Sequence, residues 1–539
     1  MSPPVDGVDP VTLEVVRSAL IGIAEEAGAA LRRTASSPNI KERADCSTAV
    51  FDAHGRMVAQ AEHIPVHLGS MPLSVAAARA LDDHLGVGDQ VLVSDPYAGG
   101  THLPDWTLVA PVHAGVAGPD EAPALLGYVA TRAHHADVGG AAPGSMPTGA
   151  VDIVAEGLRI PPVKLQVAGR TQRDVLALLL ANTRTPDERL GDLEAQLGAN
   201  ALAARRLKEL AAARGVDGLA AAMAATLDHA ERSVRAALAG LREGSASAED
   251  VLDDDGAGTR DIAIRATVTI ADGQVTIDLT GSDPQVPGNV NAPLAVTLSA
   301  AVYALRAVLA PDLPANDGLR RVLELRTTAG TIVDARPPAA VAGGNVETSQ
   351  RIVDVLLAAF ATLTDGRVGA ASQGTMNNTL LGGIDHRTGA PFTYYETLAG
   401  GCGAGPWGSG ADGTHSHMTN TRNTPIETFE LAYPLRVVEY RLRSGSGGQG
   451  QHRGGEGLRR VLEVTAEELS ASLVTERRRH APPGAAGGGA GLPGRNHLVR
   501  AADGADGAEQ ELPSKTTLRL RRGDRLIVET PGGGGYGTP

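Results

Sequence analysis

The sequence is poor in cysteine, in aromatic residues and in positive charge. Two cysteines among 539 residues exclude a disulfide framework and are typical of a reducing compartment, so we expect a cytoplasmic protein. Aromatic residues make up only 3%, so the cores must be built mainly from alanine, valine, leucine and isoleucine. The formal net charge of −14 argues against a protein that binds the phosphate backbone of nucleic acids.

Long apolar runs and nucleotide-binding motifs are also missing. No run of about 18 apolar residues occurs, so we predict no membrane span. The first residues, MSPPVDGVDPVTLEVV, lack the basic and then apolar segments of a secretion signal. None of the glycine-rich tracts has the G-x-x-x-x-G-K-[ST] order of a phosphate-binding loop. We therefore predict no nucleotide-binding residues in this chain.

The length of the chain and its 42% hydrophobic residues predict more than one globular domain. We predict an α+β multidomain protein, with an N-terminal mixed α/β domain at 1–243 that carries a helical region at about 171–243. A middle α/β domain is predicted at 259–440, and a C-terminal β-rich domain with glycine-rich loops at 441–539. The polar stretch GSASAEDVLDDDGAG, 244–258, is interpreted as a linker or exposed loop.

Several local patterns predict helices and hairpins. Apolar residues at three- and four-residue steps predict a helix from Asp9-Pro10 to near Arg33. The run STAVFDAHGRMVAQ predicts a hairpin, and IAIRATVTIADGQVTIDLTGS predicts another with its turn at Asp272-Gly273. Helices are also predicted at 73–83, 294–310 and 347–364.

Histidine and aspartate residues cluster in two loops that follow predicted strands. The loop DPYAGGTHLPD contains His102 and Asp105, and TRAHHADVGGAAPGSMP contains His134, His135 and Asp137. Imidazole nitrogens combined with a carboxylate suit a divalent ion such as Zn, Mn or Fe. We therefore predict a metal site here. The alternative is a polar loop whose histidines form hydrogen bonds with carbonyl groups.

The sequence leaves open the roles of His415, His417 and the two cysteines. His415 and His417, in THSHMTN, have strand spacing, which predicts both side chains on one face, with a metal role or simple packing as alternatives. Cys402, in GGCGAG, has no identifiable partner base and is interpreted as a small buried residue. Cys46 begins an apolar strand and is predicted to lie in a core.

Several long motifs together resemble those of the hydantoinase B family. They are ADCSTAVFDAHGRMVAQAEHIPVHLGSMP, SDPYAGGTHLPDWTLVAPV, YVATRAHHADVGGAAPGSMP, EGLRIPPVKL, THSHMTNTRNTPIE and KTTLRLRRGDRLIVETPGGGGYG, and they span nearly the whole chain. The family includes the B subunits of ATP-dependent N-methylhydantoinases and caprolactamase. It also includes the C-terminal half of 5-oxoprolinase and a subunit of acetone carboxylase.

The resemblance implies one component of an ATP-dependent cyclic amidohydrolase. A separate hydantoinase A-type subunit is expected to bind ATP and to phosphorylate the carbonyl oxygen of a lactam or hydantoin. This chain would then hydrolyse the activated substrate at its metal site. A homodimer within a larger A/B assembly is expected. The alternatives are an acetone-carboxylase-type carboxylase subunit and a non-catalytic scaffold for the A subunit.

The family's metal ligands correspond to Asp45, His102, Asp105 and His134. The motif cluster by itself does not identify Asp45, which lies in ADCS and would complete a set of two histidines and two carboxylates.

The same resemblance gives His135 and Asp137 catalytic roles beside the metal, either orienting its ligands or carrying protons. Glu62, His63 and His67, in AEHIPVHLGSM, can approach the same pocket or have a purely structural role.

Overall fold

The computed structural model describes residues 8–61, 64–82, 85–115, 123–310, 312–503 and 507–539. Within these ranges the chain forms ten α-helices and four separate β-sheets. Helices and sheets occur together in the N-terminal and middle parts, and the described part of the last hundred residues contains β-strands and loops but no α-helix. The predicted α+β multidomain fold class is thus confirmed.

The N-terminal part is one large sheet with helices on both faces. Its helices are α1 (Pro10–Thr34), α2 (Pro38–Lys41), α3 (Met71–Leu81), α4 (Arg173–Ala181), α5 (Pro186–Arg214) and α6 (Val216–Leu238). Its strands are β1 (Cys46–Asp52), β2 (Met57–Ala61), β3 (Gln90–Val93), β4 (Asp105–His113), β5 (Leu125–His134), β6 (Val163–Val167) and β7 (Arg170–Thr171). The spatial order is β2-β1-β5-β4-β3-β6-β7.

Packing of this sheet follows the sequence pattern. Helices α1, α5 and α6 bury their apolar faces against one side of the sheet, and α3 covers the other side. The predicted first helix is confirmed, and the Asp9 carboxylate caps it by accepting hydrogen bonds from the Val11 and Thr12 N–H groups. The predicted hairpin is confirmed as β1 and β2.

The middle part contains the largest apolar core. It consists of β8 (Gly244–Asp254), β9 (Arg260–Ala271), β10 (Gln274–Asp278), β11 (Leu323–Arg326), α7 (Leu294–Leu309), α8 (Asp317–Arg320) and α9 (Ser349–Ala361), and a π-helical turn at Gly344–Thr348 precedes α9. The sheet order is β11-β10-β9-β8. Helices α7 and α9 pack in the same core as this sheet.

The interpretation of 244–258 as a linker or loop is wrong, because most of it is strand β8, paired along its length with β9. Polar side chains on the solvent side explain the error. Ser245 and Ser247 form cross-strand hydrogen bonds with Thr269 and Thr267, at 3.0 and 2.9 Å. Cross-strand polar pairs stabilise a strand whose composition resembles that of a loop.

The C-terminal part contains two further sheets. Its elements are β12 (Asn378–Ile384), β13 (Pro391–Glu396), α10 (Ile426–Ala432), β14 (Leu435–Arg443), β15 (Gly457–Val464), β16 (Glu468–Val474), β17 (Arg495–Val499), β18 (Gln510–Leu512), β19 (Lys515–Arg521) and β20 (Arg525–Glu529). The sheet orders are β13-β12-β16-β19 and β14-β15-β20-β17-β18. Strand pairing therefore crosses residue 440, and the three-domain division stays a prediction.

Glycine-rich segments of the C-terminal part pack backbone against backbone. The Gly448 N–H donates to the Gly533 carbonyl oxygen at 2.8 Å, and the Gly533 N–H donates to that of Gly455 at 2.9 Å. A Cβ atom at Gly533 would lie 2.0 Å from the Cys402 carbonyl oxygen. Glycine is required here by close approach of neighbouring backbones.

Among the described residues, no single helix is both long and apolar enough to cross a membrane. The pair α5 and α6 meets that criterion only when taken together, and a bend of 108° separates the two helices.

Candidate metal centre

Two neighbouring strands bring the central histidine and aspartate residues together. Strand β4 begins at Asp105 and β5 ends at His134, and these two residues face each other in the antiparallel register. Directly opposed residues of adjacent strands have side chains on the same face of the sheet. His102 lies in the turn just before β4, where its carbonyl oxygen accepts a hydrogen bond from the Asp105 N–H.

The three side chains converge within hydrogen-bonding distance. His102 Nε2 lies 3.1 Å and His134 Nδ1 lies 3.2 Å from the same oxygen, Asp105 Oδ1. The two nitrogens are themselves 3.2 Å apart. All three residues are buried. Two imidazoles and one carboxylate thus point at a common position shielded from solvent.

The carboxylate of Asp105 is ionised in this setting. Burial acts to raise its pKa, but the charge and hydrogen bond of His102 and the hydrogen bond of His134 outweigh burial and hold the pKa well below its usual range. Thr101 Oγ1 donates to Asp105 Oδ2 at 2.5 Å, and His67 Nε2 lies 3.5 Å from that oxygen. A buried anion surrounded by imidazoles is well suited to binding a cation.

The spacing of these atoms fits a divalent ion. Ligand atoms at about 2.1 Å from a tetrahedral ion lie about 3.4 Å from one another, close to the separations seen here. One ligand atom from each of His102, Asp105 and His134 lies within 4.8 Å of the others. This donor set is compatible with Zn, Mn or Fe.

A small cavity of about 20 Å³ adjoins this cluster. Asp45, His67, Asp105 and His134 form one wall of it. The Asp45 carbonyl oxygen accepts a hydrogen bond from the His134 N–H at 3.0 Å, and the Asp45 charge opposes the lowering of the His134 pKa by burial. Asp45 therefore lies beside the cluster, outside its most closely spaced group. Glu62 and His63 lie outside the described residues.

Another part of the cavity wall comes from distant parts of the sequence. It includes Asn345 and Val346 from the π-helical turn, together with Tyr395 and Met418. The Tyr395 ring stacks on His134 with centroids 4.7 Å apart, and its hydroxyl donates to Asn378 Oδ1 at 2.9 Å. Sequence reasoning missed this wall, because no local pattern connects these positions with the histidine loops. π-Helical turns frequently occur at functional sites, but they have no simple sequence signature.

His135, predicted to be catalytic, points toward helix α5. Its ring packs against Trp106 with centroids 4.2 Å apart, and its Nε2 lies 2.9 Å from Gln196 Oε1. Burial lowers the pKa of His135 to about 4, so the ring is neutral. His135 does not line the cavity beside the cluster.

Asp137, the second predicted catalytic residue, anchors the loop after β5. Its carboxylate accepts hydrogen bonds from the backbone N–H groups of Gly139, Gly144 and Arg184. The Arg184 guanidinium also donates to it at 2.8 Å. These contacts occupy both carboxylate oxygens, and Asp137 does not line the cavity either.

His415, His417 and the two cysteines do not line the cavity beside the cluster. The prediction that His415 and His417 share one face of a strand is wrong, because this segment is not a strand and His417 has a φ of 56°. Burial raises the pKa of Cys402, which disfavours a thiolate nucleophile. Cys46 is completely buried in β1, as predicted, and burial raises its pKa to about 12.

The sequence and the fold both match known proteins. A protein of unknown function from Methanocaldococcus jannaschii is 40% identical over 538 residues, covering 99% of this chain and 91% of that protein. The 5-oxoprolinase 1 of Arabidopsis thaliana is 38% identical over 557 residues, covering 98% of this chain but only 42% of the plant protein. This chain thus spans less than half of the plant enzyme.

A solved structure supports the same assignment. The crystal structure of ATP-dependent caprolactamase from Pseudomonas jessenii superimposes with a TM-score of 0.91 at 31% identity, over 99% of this chain and 92% of that one. The sequence model described as Hydantoinase B/oxoprolinase matches residues 9–539. The resemblance seen in the motifs is thereby confirmed, and the chain belongs to the hydantoinase B/oxoprolinase family.

Proposed function

We propose that this chain is the metal-bearing component of an ATP-dependent cyclic amidohydrolase. The observation that carries the proposal is the buried convergence of His102, Asp105 and His134. The similarity to caprolactamase and to 5-oxoprolinase supports a lactam or hydantoin as the substrate class. ATP is bound by a separate hydantoinase A-type subunit, and the active unit is a homodimer within an A/B assembly.

The metal would be held by His102, Asp105 and His134, with Asp45 as a fourth ligand from the cavity wall. Zn, Mn and Fe all suit this set of ligands. When bound, such an ion supplies Lewis acidity, which polarises a carbonyl oxygen and lowers the pKa of water.

Hydrolysis of an unstrained amide requires activation because resonance makes its carbonyl carbon a poor electrophile. Phosphorylation of the carbonyl oxygen by the A subunit makes that carbon electrophilic. After water adds to the carbon, the ring C–N bond breaks with a proton passing to the nitrogen, and a second water hydrolyses the resulting acyl phosphate to a carboxylate and phosphate. Around the reacting carbon, Ile64, Val66 and Met418 of the cavity wall exclude bulk water. The exclusion of water strengthens electrostatic interactions within the site.

His67 is placed to accept the proton of the attacking water. Its Nδ1 lies 2.9 Å from Ser47 Oγ, and donation from Nδ1 to that hydroxyl is the tautomer that leaves the lone pair of Nε2 free. His67 Nε2 is buried, has no hydrogen-bond partner within the described ranges, and belongs to a residue of the cavity wall. A histidine held in this way can act as a general base.

His135 and Asp137 contribute by positioning the ligands. The backbone N–H of His135 donates to the Pro104 carbonyl oxygen at 2.9 Å, and the His135 ring packs on Trp106. These contacts fix the turn between His102 and Asp105. Asp137 holds the loop that follows His134 through its bonds to Arg184. Contacts of this kind maintain ligand orientation.

Metal content tests the proposal. The parent protein, expressed with excess Zn, Mn and Fe, should contain about one divalent ion per chain. His102→Ala should contain none while keeping the parent's circular dichroism spectrum, and the exposed control His386→Ala should keep its ion. A metal-free parent that still turns over lactam with an A-type subunit and ATP would overturn the proposal.

The same protein preparations distinguish the two alternative functions, a carboxylase subunit and a non-catalytic scaffold. Turnover that depends on bicarbonate would favour an acetone-carboxylase-type reaction. Absence of metal from a folded parent, together with binding to an A-type subunit, would favour the scaffold.

A further inference from the structure

The cavity beside the metal cluster has the size of a site for a single water molecule. Its volume is about 20 Å³. A polar cavity needs about 10–15 Å³ to hold one buried water. Cavities that bind small organic molecules are much larger, typically about 300–1,000 Å³. The size of this space therefore indicates a water site within the candidate metal centre.

The lining of this cavity contains polar atoms that lack a partner. Among the described residues that line it, three buried side-chain atoms form no hydrogen bond, namely His67 Nε2, His134 Nε2 and Asn345 Oδ1. These residues are 1%, 2% and 3% exposed. A buried polar atom without a partner costs about 1–3 kcal/mol, so such atoms in a native protein call for an explanation. A group bound in the cavity would satisfy all three.

Other polar side chains of the lining already have partners. The Thr397 and Thr421 hydroxyl groups lie 2.5 Å apart, and the Thr419 hydroxyl lies 3.4 Å from that of Thr421. The Tyr395 hydroxyl donates to Asn378 Oδ1 at 2.9 Å. The two aspartates of the lining are the proposed metal ligands. The unused hydrogen-bonding capacity thus belongs to the two histidine nitrogens and the asparagine oxygen.

These three atoms complement the hydrogen-bonding groups of one water molecule. Asn345 Oδ1 is an acceptor, and so is His67 Nε2 when Nδ1 donates to Ser47. His134 Nδ1 points at the cluster, so as a ligand it leaves the proton on Nε2, which becomes a donor. A water can donate to the two acceptors and accept from the donor. Three hydrogen bonds are typical of a buried water.

The backbone holds Asn345 firmly in place. Its N–H donates to the Val341 carbonyl oxygen at 3.3 Å, and its own carbonyl oxygen accepts a hydrogen bond from Ser349 Oγ at 2.6 Å. A Cβ atom at Gly344 would lie 1.9 Å from the Asn291 carbonyl oxygen, so the π-helical turn packs directly on another backbone segment. π-Helical turns frequently occur at functional sites. A side chain on an anchored turn is well suited to fixing the position of a reactant.

We propose that Asn345 positions the water that attacks the activated lactam. The water donates one O–H to Asn345 Oδ1 and the other to His67 Nε2, which leaves a lone pair free to bond to the substrate carbon. As the carbon–oxygen bond forms, the π pair of the carbon–nitrogen bond moves to the ring nitrogen, and one proton of the water passes to His67 Nε2. This assignment rests on the proposed function and adds a second anchor for its nucleophile.

A crystal structure of the full chain, expressed with zinc, tests the binding of the water directly. One water should lie within about 3.2 Å of both Asn345 Oδ1 and His67 Nε2. It should be missing from Asn345→Leu, which keeps a similar side-chain volume without an acceptor. It should remain in Asn420→Leu, because Asn420 is exposed and does not line the cavity, although both of its neighbours do. A parent structure without this water would overturn the proposal.

Steady-state kinetics separate positioning of the water from binding of the substrate. The assay contains an A-type subunit, ATP and either ε-caprolactam or 5-oxoproline as the probe. Asn345→Leu should lower kcat about 10–100-fold and leave the KM for the lactam unchanged. Asn345→Asp keeps an acceptor oxygen at this position and should lose less activity. A raised KM at an unchanged kcat would show that Asn345 contacts the lactam instead, and would overturn the proposal.

The coupling of ATP cleavage to ring opening provides a readout that a purely structural role would not change. Phosphorylation precedes the attack of water, so Asn345→Leu should still cleave ATP. Bulk water then attacks the phosphorus of the activated substrate and regenerates the lactam and phosphate. The number of ATP molecules cleaved per ring opened should rise at least tenfold in this variant and stay at the parent's value in Asn420→Leu. A lower kcat with an unchanged ratio would contradict the proposal.

Metal analysis of the same samples distinguishes this proposal from the proposed function. Asn345→Leu should keep the metal content and the circular dichroism spectrum of the parent. A metal-loaded parent that lacks the water would refute only the role of Asn345. A folded parent that binds no metal would refute the proposed function, and the role of Asn345 with it.

Discussion

At the scale of single residues, Asp105 organises the candidate metal centre. One of its oxygens contacts His102 and His134, and the other contacts Thr101 and lies near His67. The low pKa of this carboxylate follows from those neighbours, which outweigh the effect of burial. Asp45 differs from these residues. It lines the cavity and its carbonyl oxygen accepts a hydrogen bond from the His134 N–H, but its carboxylate is not part of the closely spaced group of His102, Asp105 and His134.

Asp45→Asn should therefore weaken metal binding without abolishing it. We expect about 10–100-fold lower affinity, a loss of the size seen for residues that support a metal site, measured by competition with a chelator. Asp385→Asn serves as the control, because Asp385 is also a buried carboxylate but pairs with Arg387 and does not line the metal cavity. Unchanged affinity in Asp45→Asn would show that this carboxylate is not a ligand.

Glu156 makes the stability of the protein depend on pH. Burial raises its pKa to about 8 from an ordinary value of 4.5, while the N–H groups of Val341 and Ala342 donate to one of its oxygens. Between these two pKa values the folded protein binds more protons than the unfolded chain. The contribution of this group to the free energy of unfolding therefore falls as the pH rises from about 4.5 to 8.

Glu156→Gln should remove this dependence, because glutamine keeps the acceptor oxygen and carries no charge. We expect a gain on the order of a few kcal/mol at pH 8 and little change at pH 4.5, measured by urea unfolding. The exposed Glu194→Gln on α5 should show no such difference. A parallel pH profile for parent and Glu156→Gln would refute the assignment.

At the scale of secondary-structure elements, the position of the metal centre depends on strands β4 and β5 and on helix α5 behind them. Gln196 on α5 donates to the Trp106 carbonyl oxygen at 3.0 Å and lies 2.9 Å from His135 Nε2. Most of these elements were predictable, because apolar periodicity and turn residues are local signals. Strand β8 was not, since its pairing with β9 is a tertiary property.

Gln196→Leu should destabilise the protein by about 1–3 kcal/mol, because it leaves the Trp106 carbonyl and the His135 nitrogen buried without partners. Urea unfolding measures the loss. The control Gln172→Leu removes only an exposed hydrogen bond to the Arg170 carbonyl oxygen and should have little effect. Equal stability of the two variants would mean that the contact with α5 is dispensable.

At the scale of the whole molecule, the C-terminal part completes a site that the N-terminal part begins. Tyr395 and Met418 line the metal cavity together with Asp45 and His134. Arg43 connects the two parts, with its guanidinium over the Tyr395 ring at 4.7 Å. The packed glycine segments stabilise the C-terminal part that supplies this wall.

Gly533→Ala should destabilise the protein by at least about 3 kcal/mol, because its methyl group would overlap the Cys402 carbonyl oxygen and neither backbone can move freely. Thermal unfolding measures the effect. Gly198→Ala, on helix α5 with open space around it, should be neutral or slightly stabilising. Similar melting temperatures for the two variants would contradict the close-packing explanation.

The sequence by itself determined the family, the principal helices and hairpins, and the metal-ligand candidates in the two histidine loops. These features depend on contiguous motifs and on local periodicity. Only the tertiary structure decided which of the candidates meet. It joined His102, Asp105 and His134 through the register of β4 and β5, and turned His135 toward Gln196. It also brought Tyr395 and Met418 to the metal cavity from parts of the chain remote in sequence, because long-range packing leaves no pattern in either partner alone.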